Sequence, residues 1–375
     1  MTYDPLLPFR GSSLIRTCLL LLCCGLSGAV STTQAQTRAY VVNEFENTVS
    51  VIDTSTNTVV GTIPVGSGPF DIAITPDGAR AYVTNDAADT VSVIDTTTNA
   101  VITTITVNVA PIGVAITPDG ARAYVSNLGS NTVSVINTST NTVIATIPVG
   151  SGPYMLAITP DGTRVYVAND LSESVSVIDT ATNTVIAAVA VAPSPLGVAV
   201  TPDGTRVYVT NRESNTISVI DTGTNTVITT IAVALGPREV AITPDGSRAY
   251  VTNQFGSSVT VIDTGTNTVI TTIPVGPEPI GVAITPDGAR AYVTNINSRT
   301  VSVIDTVSNT LVATILVGSG PFGIAITPAP LAPLVPKSKD ECKKGGYRKF
   351  GPPAGPFKNQ GQCVSYVESR SAAQP

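Results

Sequence analysis

The 375 residues include no histidine and no tryptophan, only 5% are aromatic and only 12% are charged. All six lysines lie beyond residue 336, and three of the five cysteines lie before residue 25. From Gln36 to Pro328 polar chemistry therefore falls to Asp, Glu, Arg, Tyr, Asn, Gln, Ser and Thr. A Ser-His-Asp or Cys-His nucleophile, a His-bound zinc or copper, a proximal histidine for haem and a lysine Schiff base all lack their residues there. Glycoside hydrolysis stays open, because it needs two carboxyl groups at a suitable separation and nothing else.

What the chain does have is repetition. Thr-Pro-Asp-Gly begins at Thr75, Thr117, Thr159, Thr201, Thr243 and Thr285, each 42 residues after the last, and a broken seventh copy stands at Thr327. A period near 40 marks a radial or stacked array of supersecondary units. Each unit holds four short runs rich in Val, Ile and Thr, with no stretch of helical periodicity long enough for a crossover. Pro and Gly in Thr-Pro-Asp-Gly suit a tight turn between the first two runs, and Asp95-Thr96-Thr97-Thr98-Asn99 with its equivalents suits the turn between the last two. The unit is a four-stranded antiparallel meander, apolar on both faces, and it is covered only if copies pack face to face around an axis.

The ends specify closure. The array opens on a second strand, Arg38–Asn43, and finishes on a surplus first strand, Phe322–Thr327. Three strands, six full units and one last strand amount to seven blades of four, so the fold expected is an all-β, seven-bladed propeller closed three-plus-one.

Tyr82-Val83-Thr84-Asn85 recurs at Tyr208, Tyr250 and Tyr292, with near-copies at Tyr40, Tyr124 and Tyr166. Over Arg38–Thr327 the chain resembles the YVTN family of β-propeller repeats, which implies a seven-bladed propeller in exported, cell-surface or periplasmic proteins. It implies little about activity, since one fold hosts many functions. Propellers of similar shape include sugar lactonases and cofactor-carrying dehydrogenases; the absence of histidine removes any His-dependent version.

Arg10 and Arg16 precede a short apolar run and then small residues up to Ala35, the pattern of a signal peptide over 1–35. The run is too short for a spanning helix, so no transmembrane anchor is expected in the mature chain, and Leu22 before Cys23 argues against a lipid anchor. The propeller spans 36–328, a Pro-rich linker 329–339 and a small basic tail 340–375. The tail resembles a two-Cys C-terminal module of secreted bacterial proteins. Cys342 and Cys363, the two cysteines of the mature chain, are expected to pair in an oxidising compartment. Residues 36–328 carry 22 acids against 10 Arg, whereas 329–375 carry eight bases against three acids. Export and the acidic whole disfavour nucleic acid. A monomer is expected.

The repeated Asp77 and Asp95 and their equivalents are read as turn caps rather than calcium ligands, because neither lies in a closely spaced run of oxygen ligands. No metal and no cofactor are therefore expected. The Arg80 series, beside the acidic turn, is read as pairing there, and the seven motif tyrosines as core rings with a bonded hydroxyl. Gly66-Ser67-Gly68-Pro69, without a following Lys, is a turn and not a phosphate loop.

Comparing the copies with each other shows where blades are not interchangeable. The loop between strands two and three varies, as does the start of strand one, and both emerge on one end of the ring. The candidates there are Glu44, Phe45, Glu46, Asp71, Asp86, Asp89, Tyr154, Asp170, Glu173, Arg212, Glu213, Arg238, Glu239, Phe255, Glu278 and Arg299, with Phe45, Leu171, Phe255 and Ile296 expected exposed. Arg238-Glu239 is the most distinctive pair, since other first strands place Phe, Ile, Tyr or Leu where Arg238 stands. Variable loops on a rigid scaffold point to binding. The first reading is an exported, non-catalytic scaffold presenting an acidic face to a protein or glycan at the cell envelope, in the periplasm, at the surface or outside. The alternatives are a hydrolase or lactonase using carboxylates and Arg at the channel mouth, and a partner of a periplasmic redox enzyme.

Overall fold

The computed structural model describes residues 37–328 together with Lys343, Cys363 and Val364. The expected signal peptide, the expected linker and nearly all of the expected tail, Cys342 included, lie outside the described residues.

Twenty-eight strands, β1 to β28 in chain order, form seven four-stranded antiparallel sheets. A typical blade runs β4 (Pro69–Ile74), β5 (Arg80–Asn85), β6 (Thr90–Asp95) and β7 (Ala100–Thr106). The inner strands are β4, β8 (Pro111–Ile116), β12 (Pro153–Ile158), β16 (Pro195–Val200), β20 (Pro237–Ile242), β24 (Pro279–Ile284) and β28 (Pro321–Ile326), and each touches the next around the ring. The first blade orders β28, β1 (Arg38–Asn43), β2 (Thr48–Asp53) and β3 (Thr58–Pro64). The surplus strand thus closes the ring, with Tyr40 opposite Ala325 and Val41 opposite Ile324. Thr327 extends the join: its N–H donates to the Arg38 carbonyl at 2.8 Å and its Oγ1 accepts from the Arg38 N–H at 2.9 Å. Thr75 binds Arg80 in the same way inside an unbroken blade.

The two middle strands of each sheet, such as β5 and β6, are buried on both faces, whereas the outermost, such as β7, is largely exposed. Between blades the core repeats: Tyr82, Val91, Val93 and Ile105 of one blade pack on Val114, Ala123, Val125 and Ile136 of the next. Each such aliphatic side chain contributes roughly 1.5–3 kcal/mol on burial.

Polar latches run beside these cores. Every motif tyrosine donates its hydroxyl to an Asn Oδ1 in the third-to-fourth turn of the following blade, as in Tyr82 to Asn141 at 2.8 Å, and Tyr292 closes the series on Asn57 at 2.7 Å. The tyrosine expectation holds. The Arg80 series does not pair with its acidic turn: Arg80 donates to the Thr138 carbonyl of the next blade at 2.7 Å, and Arg290 to Thr54 at 3.0 Å. Asp77 is already committed, accepting from the Thr75 hydroxyl at 2.6 Å and the Ala79 N–H at 3.0 Å. These short-range bonds hold the Asp77 carboxyl below its ordinary range, whereas the arginine gains more by satisfying a carbonyl across a blade interface.

Candidate functional site

The two variable loop sets lie together on one face and are bonded to each other in every blade. The N–H that follows each motif Asn donates to the carbonyl just before the inner-strand Pro: Asp86 to Gly68 at 2.7 Å, Glu44 to Gly320 at 2.8 Å, Arg212 to Ser194 at 2.9 Å. The accepting residue is left-handed, which suits Gly68, Gly152, Gly236 and Gly320, while Ala110, Ser194 and Glu278 adopt φ of 56°, 58° and 50° despite their side chains. The turn expected at Gly66 is packed on the motif Asn, since a Cβ there would come within 2.5 Å of the Asn85 side chain.

The candidates divide by depth. Phe45, Leu171 and Phe255 are exposed and lean over Gly320, Gly152 and Gly236. Glu46 and Arg299 form an exposed ion pair at 2.9 Å, and Glu173 and Glu213 are also exposed. Asp89 is structural: its Oδ1 accepts the Ala110 N–H at 2.8 Å, as Asn47 does for Gly68. Asp170 accepts the Ser194 hydroxyl at 2.7 Å. Glu44, Asp86, Arg212 and Glu278 are half-buried.

Ile296 is not exposed, contrary to expectation, and Arg238 and Tyr154 are not on an open rim. The second residues of the inner strands converge where the channel opens, so Phe70, Ile112, Tyr154, Leu196, Ile280 and Phe322, joined by Met155, form one buried cluster with Leu128 and Ile296 packed against it. Sequence comparison places these residues on the correct face but does not reveal that they meet, because their meeting depends on the radius of the closed ring.

Arg238 enters this cluster where the other blades have apolar residues, and is only 9% exposed. Its guanidinium carbon lies 5.1 Å from the Tyr154 ring centre and 5.2 Å from that of Phe322, and Nη2 donates to the Tyr154 hydroxyl. Phe70 meets Tyr154 edge-on at 5.6 Å. Among the described residues no carboxylate is within ion-pair distance of Arg238, and its Nε is buried without a partner. Cation–π contact with two rings recovers a part of the solvation a guanidinium loses on burial, typically up to about 2 kcal/mol per ring, against a cost of several.

One residue further along, the seven inner strands carry Asp71, Gly113, Met155, Gly197, Glu239, Gly281 and Gly323. The glycines are demanded by closeness: a Cβ on Gly197 would lie 2.7 Å from the Arg238 carbonyl oxygen, and one on Gly281 2.5 Å from that of Phe322. Asp71 and Glu239 are thus the two acids at this level. Asp71 accepts the Val114 N–H at 3.0 Å, and Glu239 accepts from Val282, the equivalent residue beside its own blade. Burial pushes the Asp71 carboxyl up to about 6, partly offset by its bonds to Val114 and Ile72. Burial and then the charge of Asp71 push Glu239 up to about 8, partly offset by Arg238. Glu239 Oε1 is buried and has no partner. Burial and Asp86 also raise Glu44, which Arg238 pulls back. Chemically the mouth offers a confined cation in an aromatic bracket, beside a carboxyl that holds its proton near neutrality.

The opposite face differs in kind. Clefts of about 500, 590 and 550 Å³ recur there between Thr-Pro-Asp-Gly turns, lined for example by Thr201, Asp203, Arg206 and Asp245. Their Asp and Thr groups are spent on the turns themselves. No cluster of metal-ligating side chains occurs among the described residues, and no helix there is long and apolar enough to cross a membrane.

The fold is shared with Kuenenia stuttgartiensis hydrazine synthase, at 27% identity over 68% of this chain and 88% of that one, with a TM-score of 0.63. It is also shared with a functionally unknown protein from Desulfotomaculum acetoxidans, at 22% identity over 78% and 99% of the chains and a TM-score of 0.70. A Bacteroides fragilis protein assigned as a candidate 6-phosphogluconolactonase is similar at 17% identity over 79% and 99%, with a TM-score of 0.68. No curated protein matches the chain. A family model does match, over residues 58–185 and 113–269, which together span more than half of the sequence. With its seven closed four-stranded blades, the chain belongs to the family described as lactonase, 7-bladed beta-propeller.

Proposed function

We propose that this chain is an exported, non-catalytic binding propeller of the cell envelope, whose loop-bearing face engages a protein or glycan partner and seats an anchoring group of it at the channel mouth. The observation that carries this reading is Arg238: a buried guanidinium, unlike anything at the equivalent place in the other six blades, with an unmet N–H and, among the described residues, no carboxylate within ion-pair distance. A scaffold this repetitive has no packing need for that residue, because Ile112-Gly113 and Ile280-Gly281 fill the same two places elsewhere. Exposed Phe45, Leu171 and Phe255 around the mouth add apolar contact area.

A thermal-shift screen of the chain against sugars, sugar acids, peptides and lactones tests the proposal, since a ligand that binds only the folded state raises the melting temperature. A responding compound should lose its effect on the double variant Arg238→Ile, Glu239→Gly, which keeps the fold because that pair already occurs in the ring. An equal shift in both proteins, or none with any compound, would remove the mouth as the site.

The family match and the two channel acids favour a second reading, hydrolysis of a lactone ring. There Arg238 would polarise the carbonyl, and a channel carboxylate would take a proton from the attacking water and return it to the ring oxygen as the ring C–O bond breaks to give a hydroxy acid. Turnover of a lactone that is saturable and falls at least a hundredfold in Asp71→Asn or Glu239→Gln would establish it in place of the non-catalytic reading.

A further inference from the structure

We infer that the anchoring group taken by Arg238 and Glu239 is the carboxylate of a small organic acid with an apolar or aromatic body. The inference rests on the channel mouth being the ligand site, and it adds the chemistry of what enters. The guanidinium Nε and the carboxyl Oε1 are both buried and both without partners, on consecutive residues of β20. A planar anion is the group that meets an unfilled guanidinium edge best. The bracket around it fixes the rest of the ligand: the rings of Tyr154 and Phe322 hold the cation, Phe70 packs on both rings, and Ile112, Leu196 and Ile280 complete an apolar cluster. Solvent reaches the cluster on the side of Phe70, Tyr154 and Arg238, which keep 8–9% exposure while the three aliphatic residues keep 1–2%.

Charge selects a monoanion. Asp71 and Glu239 face the site from β4 and β20, Glu44 and Asp86 stand on the loops above, Asp170 and Arg212 flank Tyr154, and Arg238 is the single buried cation among the described residues. A dianion such as sulfate would meet this acidic surround with twice the repulsion, whereas one carboxylate is balanced by Arg238. A protonated Glu239 can donate to the ligand oxygen; an ionised one repels it. Because burial and Asp71 hold its proton up to about pH 8, binding is full at neutral pH and weakens above.

Titration calorimetry with benzoate, alongside uncharged benzamide and dianionic sulfate, tests this on the whole chain. Benzoate should bind at pH 7 and about tenfold more weakly at pH 9, as the protonated fraction of a group titrating near 8 falls about tenfold. Benzamide and sulfate should bind at least tenfold more weakly than benzoate at pH 7. Arg238→Gln should lose at least tenfold in benzoate affinity, and Glu239→Gln should keep it within about threefold while abolishing the loss at pH 9. The double variant Arg238→Ile, Glu239→Gly serves where a single one fails to fold. Absence of benzoate binding, equal binding by the Arg238 variants, or a pH 9 loss that persists in Glu239→Gln would each overturn the inference. If a neutral compound from the thermal-shift screen still binds in an Arg238-dependent way while benzoate does not, the mouth stands as a site and only the carboxylate falls.

Discussion

Asn141 serves two ends with one side chain. It occupies the left-handed position of its turn at φ 54°, where Asn costs less than other non-glycine residues, and its Oδ1 accepts the Tyr82 hydroxyl of the preceding blade. The two contributions can be separated by chemical denaturation. Asn141→Gly keeps the backbone and leaves the hydroxyl only its longer contact with the Thr138 carbonyl at 3.4 Å, so it should cost about 1 kcal/mol, as should Tyr82→Phe. Asn141→Ala adds the left-handed penalty and should cost about 1–2 kcal/mol more. In the double variant Tyr82→Phe, Asn141→Gly the two losses should overlap rather than add, because one hydrogen bond is shared between them. Strict additivity would mean the hydroxyl is satisfied elsewhere.

At the scale of the strand, β28 decides whether the array is a ring. It supplies the inner strand of the first blade, puts Phe322 into the channel cluster and Ile324 into the interface core, and hands Thr327 to Arg38. A chain ending at Gly320 loses two buried apolar side chains, together worth roughly 3–6 kcal/mol, and exposes the unpaired edge of β1. At the usual 2–4 °C per kcal/mol for a domain of this size, calorimetry should show a melting temperature lower by about 10 °C or more. An unchanged melt would mean that the first blade stands without its inner strand. Strand existence and order are legible from the 42-residue period, because alternation and turn chemistry are local. The partner of Arg80 is not: its acidic turn is nearest in sequence, yet the carbonyl it satisfies is 58 residues on, brought close only by blade packing.

Across the whole molecule, two families of carboxyl groups pull the pH dependence of stability in opposite directions. Asp77, Asp119, Asp161, Asp203, Asp245 and Asp287 are held below their ordinary range, each chiefly by the hydroxyl of its own turn threonine. Their stabilising effect is present above the unfolded-state value near 4 and is lost as pH falls through the folded one. Asp71 and Glu239 are raised, so their contribution is full below about pH 4 and is lost as pH rises through about 6 and about 8. Stability should therefore peak near pH 4 and decline toward pH 8 before levelling. Urea melts across pH 3–9 would show it, and Asp71→Asn, Glu239→Gln should flatten the alkaline side while leaving the acid side unchanged. A decline of the same size in that double variant would refute the assignment.

The linear sequence determined the repeat unit, the turns and the count of seven blades, because each of those follows from contacts within about 42 residues and from how many strands the array contains. It also singled out Arg238-Glu239, because near-identical copies turn any departure into a visible one. Tertiary structure decided what that departure means. Only closure at a particular radius brings Phe70, Tyr154, Arg238 and Phe322, which lie 84 residues apart, together at one mouth, and places Asp71 near enough to Glu239 to hold its proton. Burial and charge coupling belong to the closed ring as a whole, and no single repeat encodes them.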